Sequence, residues 1–142
     1  MKNIFILPIF ILLAINSTAF AQALQPGLWK TKSVFTVSGI TLPSSNGEDC
    51  VTAEEAKDIK LTITKELKKN GCNLDSWKIK NSHLDAALTC KNDQLDAKGA
   101  LSGIYTSKSY SLSGKANGVI QGSLPASAEI QLVGTWSKEC TH

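Results

Sequence analysis

From Cys72 onward, apolar and polar residues alternate at a spacing of two, and turn-forming residues break the alternation at short intervals. This is the signature of half-buried β-strands joined by tight turns. Leu74, Ser76, Lys78 and Lys80 alternate with Asp75, Trp77 and Ile79; Asn81-Ser82 follows, and Leu84, Ala86 and Leu88 then alternate with Asp85, Ala87 and Thr89. The pattern predicts a hairpin, with Trp77 and Ile79 on the core face of one arm and Leu84, Ala86 and Leu88 on that of the other. Further strands are predicted over Ala97–Tyr105, Ser109–Ala116, Val119–Leu124 and Ala128–Ser137. The separating turns are Thr106-Ser107-Lys108, Asn117-Gly118 and Pro125-Ala126. Upstream, a Gln25-Pro26-Gly27 turn precedes a strand over Leu28–Ser38, rich in aromatic and β-branched residues. Gly39 to Asp49, with Pro43 and Asn46-Gly47, reads as a loop leading to Cys50.

A period of 3.6 competes in one place only. Thr52-Ala53-Glu54-Glu55 has the form of a capping box, with Val51 and Ala56 placed as a hydrophobic staple, so a helix starts here. Acidic Glu54, Glu55 and Asp58 suit its positive end, and Lys65, Lys68 and Lys69 suit its negative end before Gly71. Ile59-Lys60-Leu61-Thr62-Ile63-Thr64 is ambiguous. It alternates like a strand, yet Ile59, Ile63 and Leu67 recur every four residues, so a broken helix and a helix followed by a short strand both remain open, with helix favoured.

Glycines at 99, 103, 114, 118, 122 and 134 fall in or beside the strands, where they weaken a sheet unless they permit a bend or a close approach. The expected fold is therefore mainly β: a curved antiparallel meander, an open half-barrel-like sheet covered on one side by a single helical segment and held by two disulfides. A flat sheet with glycines only at its turns is the competing arrangement.

The first residues carry a different signal. Lys2, an apolar run from Ile4 to Ile15 interrupted by Pro8, and Ala19-Phe20-Ala21 form a charged, an apolar and a small-x-small region in turn. Residues 1–21 are expected to be a signal peptide, leaving one domain over 22–142. The run is shorter than the ~20 residues of a spanning helix, so no membrane span is expected in the mature form. No cysteine precedes Cys50, so no lipid anchor is expected. The mature chain is expected to be exported.

Charge and composition narrow the chemistry. The net charge is +3 and all 15 basic residues are lysines, so no guanidinium fork is present to grip carboxylates or phosphates. The lysines are scattered and leave no footprint for nucleic acid. Only two histidines, His83 and His142, are available. Asp75, Asp85, Asp93 and Asp96 could supply a carboxylate pair, but aspartate at hairpin ends is ordinary turn chemistry. No nucleophile elbow, phosphate loop or metal-binding histidine pair occurs. The chain is read as having no catalytic residues, no cofactor and no metal.

Cys50, Cys72, Cys90 and Cys140 are far apart in sequence, unlike zinc-binding pairs, and an even number in a small exported domain reads as two disulfides. A turn at Asn81-Ser82 sets Cys72 opposite Cys90, which predicts that pair and leaves Cys50 with Cys140.

The order of these pieces resembles an uncharacterised family of exported bacterial proteins, domain of unknown function 3617. Pro26-Gly27-Leu28-Trp29, the run Cys50 to Ala56, Gly71-Cys72, Cys90, the strand pair Ser102–Tyr105 and Ser109–Gly114, and Cys140 near the end carry the resemblance over essentially the whole mature chain. The family's usual ending has an arginine and a second glycine that Gly134 to Cys140 lacks. The resemblance implies a Gram-negative periplasm, a β-rich fold and two disulfides, and it implies no activity.

Function is then expected to be binding. One reading is an interaction module for an unknown envelope protein, with Tyr105 and Tyr110, flanking a turn, as a possible exposed surface, and with Trp29, Trp77 and Trp136 in the core. The other is a carrier of a small apolar ligand held between curved sheet and helix.

Overall fold

The computed structural model describes residues 23–141; the segment 1–21 read as a signal peptide lies outside the described residues. Eight strands and two helices follow one another along that stretch: β1 (Gly27–Val37), β2 (Ile40–Thr41), β3 (Ser45–Val51), α1 (Ala53–Ala56), α2 (Ile59–Lys68), β4 (Cys72–Lys80), β5 (His83–Lys91), β6 (Leu95–Tyr105), β7 (Ser109–Ile120) and β8 (Leu124–Lys138). The meander β4 to β8 runs in sequence order, and β1 then adds antiparallel to β8, carrying β2 and β3 on its outer side. β3 pairs Gly27–Ser33 and β2 pairs Thr36–Val37. The sheet is open, with β4 at one edge and β3 at the other.

That strand order sets the problem the helices solve. The chain leaves the sheet at β3 and re-enters at the opposite edge, β4, through residues 52–71 alone. Six strand spacings of ~4.8 Å would separate the edges of a flat sheet by about 29 Å, yet Lys69, three residues before β4 begins at Cys72, bonds Asp49 on β3 at 3.0 Å. The sheet must coil. Glycine permits the coiling along β6 and β7: a Cβ at Gly99 would overlap the Lys115 carbonyl, and one at Gly118 would overlap that of Asp96. Opposite them stand Ala116 and Ala97, the smallest side chains that still fill the inner face.

The buried side chains sit on that inner face. Leu84, Leu88, Leu101, Leu112, Ile130 and Leu132 pack against Ala56, Ile59, Ile63 and Leu67 from the helices. α2 is a helix because of this contact: Ile59, Ile63 and Leu67 are buried, while Leu61 is 52% exposed. A strand would have put Leu61 on the same face as Ile59 and Ile63.

Several expectations need correction. The predicted loop 39–49 contains β2 and most of β3, because β1 offers Gly27–Ser33 as a template whose outer edge would otherwise be unpaired. The single helical segment is two helices, since Asp58 acts as a second N-cap, its carboxylate accepting from the Lys60 N–H at 2.9 Å. Asn117-Gly118 is inside β7; the chain turns instead at Gln121 and Gly122, both at positive φ. Pro125 and Ala126 belong to β8, and the proline is tolerated because β1 pairs only from Ala128 onward, leaving that side of β8 free. Leu74 joins the core face of β4 because a register shift around Ser76, at φ 51°, brings it onto the same side as Trp77 and Ile79.

Both disulfides form as the spacing predicted. Cys72 lies directly opposite Cys90 in the β4–β5 ladder, and Cys50 is joined to Cys140.

Candidate functional site

The sequence Pro26-Gly27-Leu28-Trp29 builds a clasp between the two ends of the domain. The Trp136 indole donates to the Pro26 carbonyl at 3.0 Å, and the Trp29 indole donates to that of Gln25 at 2.9 Å. Gly27 has a φ of 140°, and a Cβ there would overlap Trp136 Nε1, so both backbone and space require glycine. Trp29 stacks on Tyr110 with ring centroids 5.7 Å apart. The Tyr110 ring lies across Gly134, whose missing side chain is its seat. Lys108 covers the Trp136 ring from outside, 4.7 Å from its centroid.

Next to this clasp, α2 meets the β1–β3 pair around a chamber of about 20 Å³, lined by Trp29, Asp49, Glu55, Thr62, Glu66 and Tyr110 among others. It has room for one water. Lys69 bridges two of its lining carboxylates, with Nζ 3.0 Å from Asp49 Oδ2 on β3 and 2.8 Å from Glu66 Oε2 on α2. Lys65 reaches Glu55 at 3.2 Å. The capping box is complete: Glu55 N–H donates to Thr52 Oγ1, and Thr52 N–H donates back to Glu55 Oε2.

These contacts set the proton affinities. The Thr52 N–H, with Lys65 adding to it, holds the Glu55 carboxyl below its ordinary range despite some desolvation. Glu66, then Asp49, hold the Lys69 ammonium above its ordinary value. Burial pushes the Tyr110 hydroxyl far up, and the negative charges of Glu66 and Asp49 push it further. Burial and Asp58 raise Tyr105.

The two tyrosines read as an exposed surface are therefore core residues. Tyr105 is 1% and Tyr110 3% exposed, because both point to the inner face where strand ends, Trp29 and the helices converge. The Tyr105 hydroxyl is buried without a hydrogen-bond partner. Trp29 is in the core as expected, and Trp77 and Trp136 are partly buried against it. Asp75, Asp85, Asp93 and Asp96 are all exposed, with Asp85 3.4 Å from His83 and Asp96 3.7 Å from Lys91. No group of three or more histidines, cysteines or acids that could hold a metal occurs among the described residues.

What the tyrosines do not provide, other side chains do. Ile40 is 70% exposed, and Leu42 and Leu124 about half. Ile40 and Leu42 lie on and just after β2, and Leu124 begins β8; the Ser38 N–H at the β1–β2 turn donates to Ser127 O of β8 at 2.8 Å. In the sequence they fell in an expected loop and at the end of a short strand, with no periodicity to mark them.

An open antiparallel sheet closed by a two-helix cover, an aromatic clasp and two disulfides defines a small disulfide-stapled β-protein. The family assignment is more specific: the sequence model of the family described as Protein of unknown function (DUF3617) matches residues 24–140, and the chain belongs to that family. No curated protein and no solved structure matches it. The matched stretch begins just before the clasp and ends on Cys140, so the family's extent coincides with the interlocked unit.

Proposed function

We propose that this protein is an exported, periplasmic interaction module that buries an apolar surface of an envelope protein and catalyses no reaction. The observation that carries the reading is the exposed aliphatic rim of Ile40, Leu42 and Leu124 at one end of the sheet. Exposed aliphatic side chains at one end of an otherwise well-packed domain suit a contact surface. The two disulfides fit an oxidising compartment, and no helix among the described residues is long and apolar enough to cross a membrane.

The packing favours this reading over carriage of a ligand between sheet and helix. Ligand pockets enclose roughly 300 Å³ or more, whereas the chamber under α2 holds about 20 Å³. The rest of that interface is filled by Ile59, Ile63 and Leu67. A carrier would have to lift its cover.

The experiment uses the mature, oxidised protein as bait in envelope extract, beside Ile40→Asp and Leu124→Asp variants with unchanged thermal midpoints. A stoichiometric partner held by the wild type and lost by both variants supports the proposal. Equal capture by all three, or a small molecule retained in a native mass spectrum, overturns it.

A further inference from the structure

The two disulfides bracket the helical cover, and they differ in exposure. Cys50 lies two residues before the Thr52 cap, and Cys72 follows Gly71 at the end of the α2 segment. Cys72 and Cys90 are each 1% exposed, enclosed with Leu74 and Leu88 in the core. Cys50 is exposed and Cys140 partly so. An incoming thiolate must reach a sulfur along the S–S axis, so access decides which bridge exchanges.

The accessible bridge also sits at a sensitive corner. Asp49 and Val51, on either side of Cys50, line the chamber beneath which Trp29 stacks on Tyr110. Cys140 lies beyond the last ladder pair of β8, Leu28 with Lys138. The bridge therefore joins the roof of the aromatic chamber to the end of the last strand.

We propose that Cys50–Cys140 is a thiol-exchange site, a reducible latch on the corner that roofs the Trp29–Tyr110 chamber, and that Cys72–Cys90 is a permanent structural bridge. The chemical class of its partner is a dithiol. One thiolate of the dithiol attacks a sulfur of the bridge, the S–S bond breaks, a mixed disulfide forms and the other cysteine leaves as a thiolate that takes up a proton. The second thiol of the partner then displaces the bound cysteine, so the protein gains two electrons and two protons and the partner leaves as a disulfide. Reduction removes the covalent tie between β3 and the chain end beyond β8, leaving the β3–β1 ladder and the Thr52–Glu55 cap as what holds the corner. The β4–β5 edge remains stapled.

Graded dithiothreitol applied to the native protein, alkylation of the thiols formed and peptide mass spectrometry test this directly. The expected intermediate has Cys50 and Cys140 alkylated with Cys72–Cys90 intact, and its amide hydrogens over 47–58 exchange at least tenfold faster while those over 84–90 are unchanged. Simultaneous reduction of both bridges, or reduction of Cys72–Cys90 first, overturns the proposal. So does an intermediate whose 47–58 exchange equals that of the oxidised protein. A Cys50→Ser/Cys140→Ser double variant should reproduce the faster exchange without reductant, and wild-type exchange in it would also overturn the latch.

Discussion

The indole of Trp136 donates its N–H to the carbonyl oxygen of Pro26, closing a contact between residues 110 positions apart. Trp136 is also the β8 partner of Trp29, so the leading Pro-Gly-Leu-Trp run and the last strand define one another. Trp136→Phe keeps an aromatic ring, smaller than the indole, and loses the donor. It is expected to lower stability by about 1–2 kcal/mol, read as a lower urea midpoint at constant slope. Gly27→Ala should cost more, because it adds an overlap with the indole to a backbone strained at φ 140°.

Glycines that admit a neighbouring backbone should be separable from glycines that only turn. Gly99→Ala places a methyl group into the Lys115 carbonyl and is expected to cost about 3 kcal/mol or prevent folding. Gly122→Ala meets open space at φ 78° and should cost about 1 kcal/mol. Denaturant midpoints of the two variants check the order, and equal costs would show that the sheet is less tightly coiled than described.

The cover should be held by its buried face. Ile63→Ala removes a fully buried side chain that packs between α2 and the sheet, for an expected loss of about 2–4 kcal/mol. Leu61→Lys changes the exposed face and should lie within about 0.5 kcal/mol of wild type. A large effect of Leu61→Lys would mean that this face of α2 is covered.

Stability should fall at both ends of the pH scale. Glu55 is harder to protonate in the folded state than its ordinary 4.5, so its contribution is present above pH 4.5 and lost as pH falls through the lower folded value. Lys69 is harder to deprotonate than its ordinary 10.5, so its contribution is full below pH 10.5 and lost above it as pH rises through the folded value. Tyr110 acts in the same alkaline direction, since the unfolded hydroxyl ionises near 10 while the buried one stays neutral. Urea midpoints across pH 3–11 measure both limbs. Glu55→Gln should lower the neutral plateau and flatten the acid limb, and Tyr110→Phe should flatten the alkaline one.

Much of this fold is written in local chemistry. The alternation through Leu84, Ala86 and Leu88 and the Asn81-Ser82 turn determine the β4–β5 hairpin, because the two-residue period and the turn conformation act over a few neighbouring positions. That hairpin in turn places Cys72 opposite Cys90 and leaves Cys50 for Cys140, so the covalent framework was legible before any long-range contact was known. The Thr52–Glu55 capping box is equally local.

Other features exist only because distant segments meet. Residues 59–64 satisfy both periods, and the choice falls to helix because the inner face of the coiled sheet accepts Ile59, Ile63 and Leu67 together and leaves Leu61 in water. Ser45–Val51 is a poor strand by composition and becomes one because β1 presents unpaired backbone groups alongside it. Tyr105 and Tyr110, polar-tipped and next to a turn, read as surface residues; Gly134, 24 positions along the chain from Tyr110, leaves the space that buries one of them. The sequence by itself determined the hairpin, the cap and the Cys72–Cys90 pair, since short-range geometry decides those, and left Cys50 with Cys140 as the remaining pair. Tertiary structure alone decided which ambiguous segment became helix, which loop became strand and which aromatic rings left the surface, because burial depends on neighbours that no local window contains.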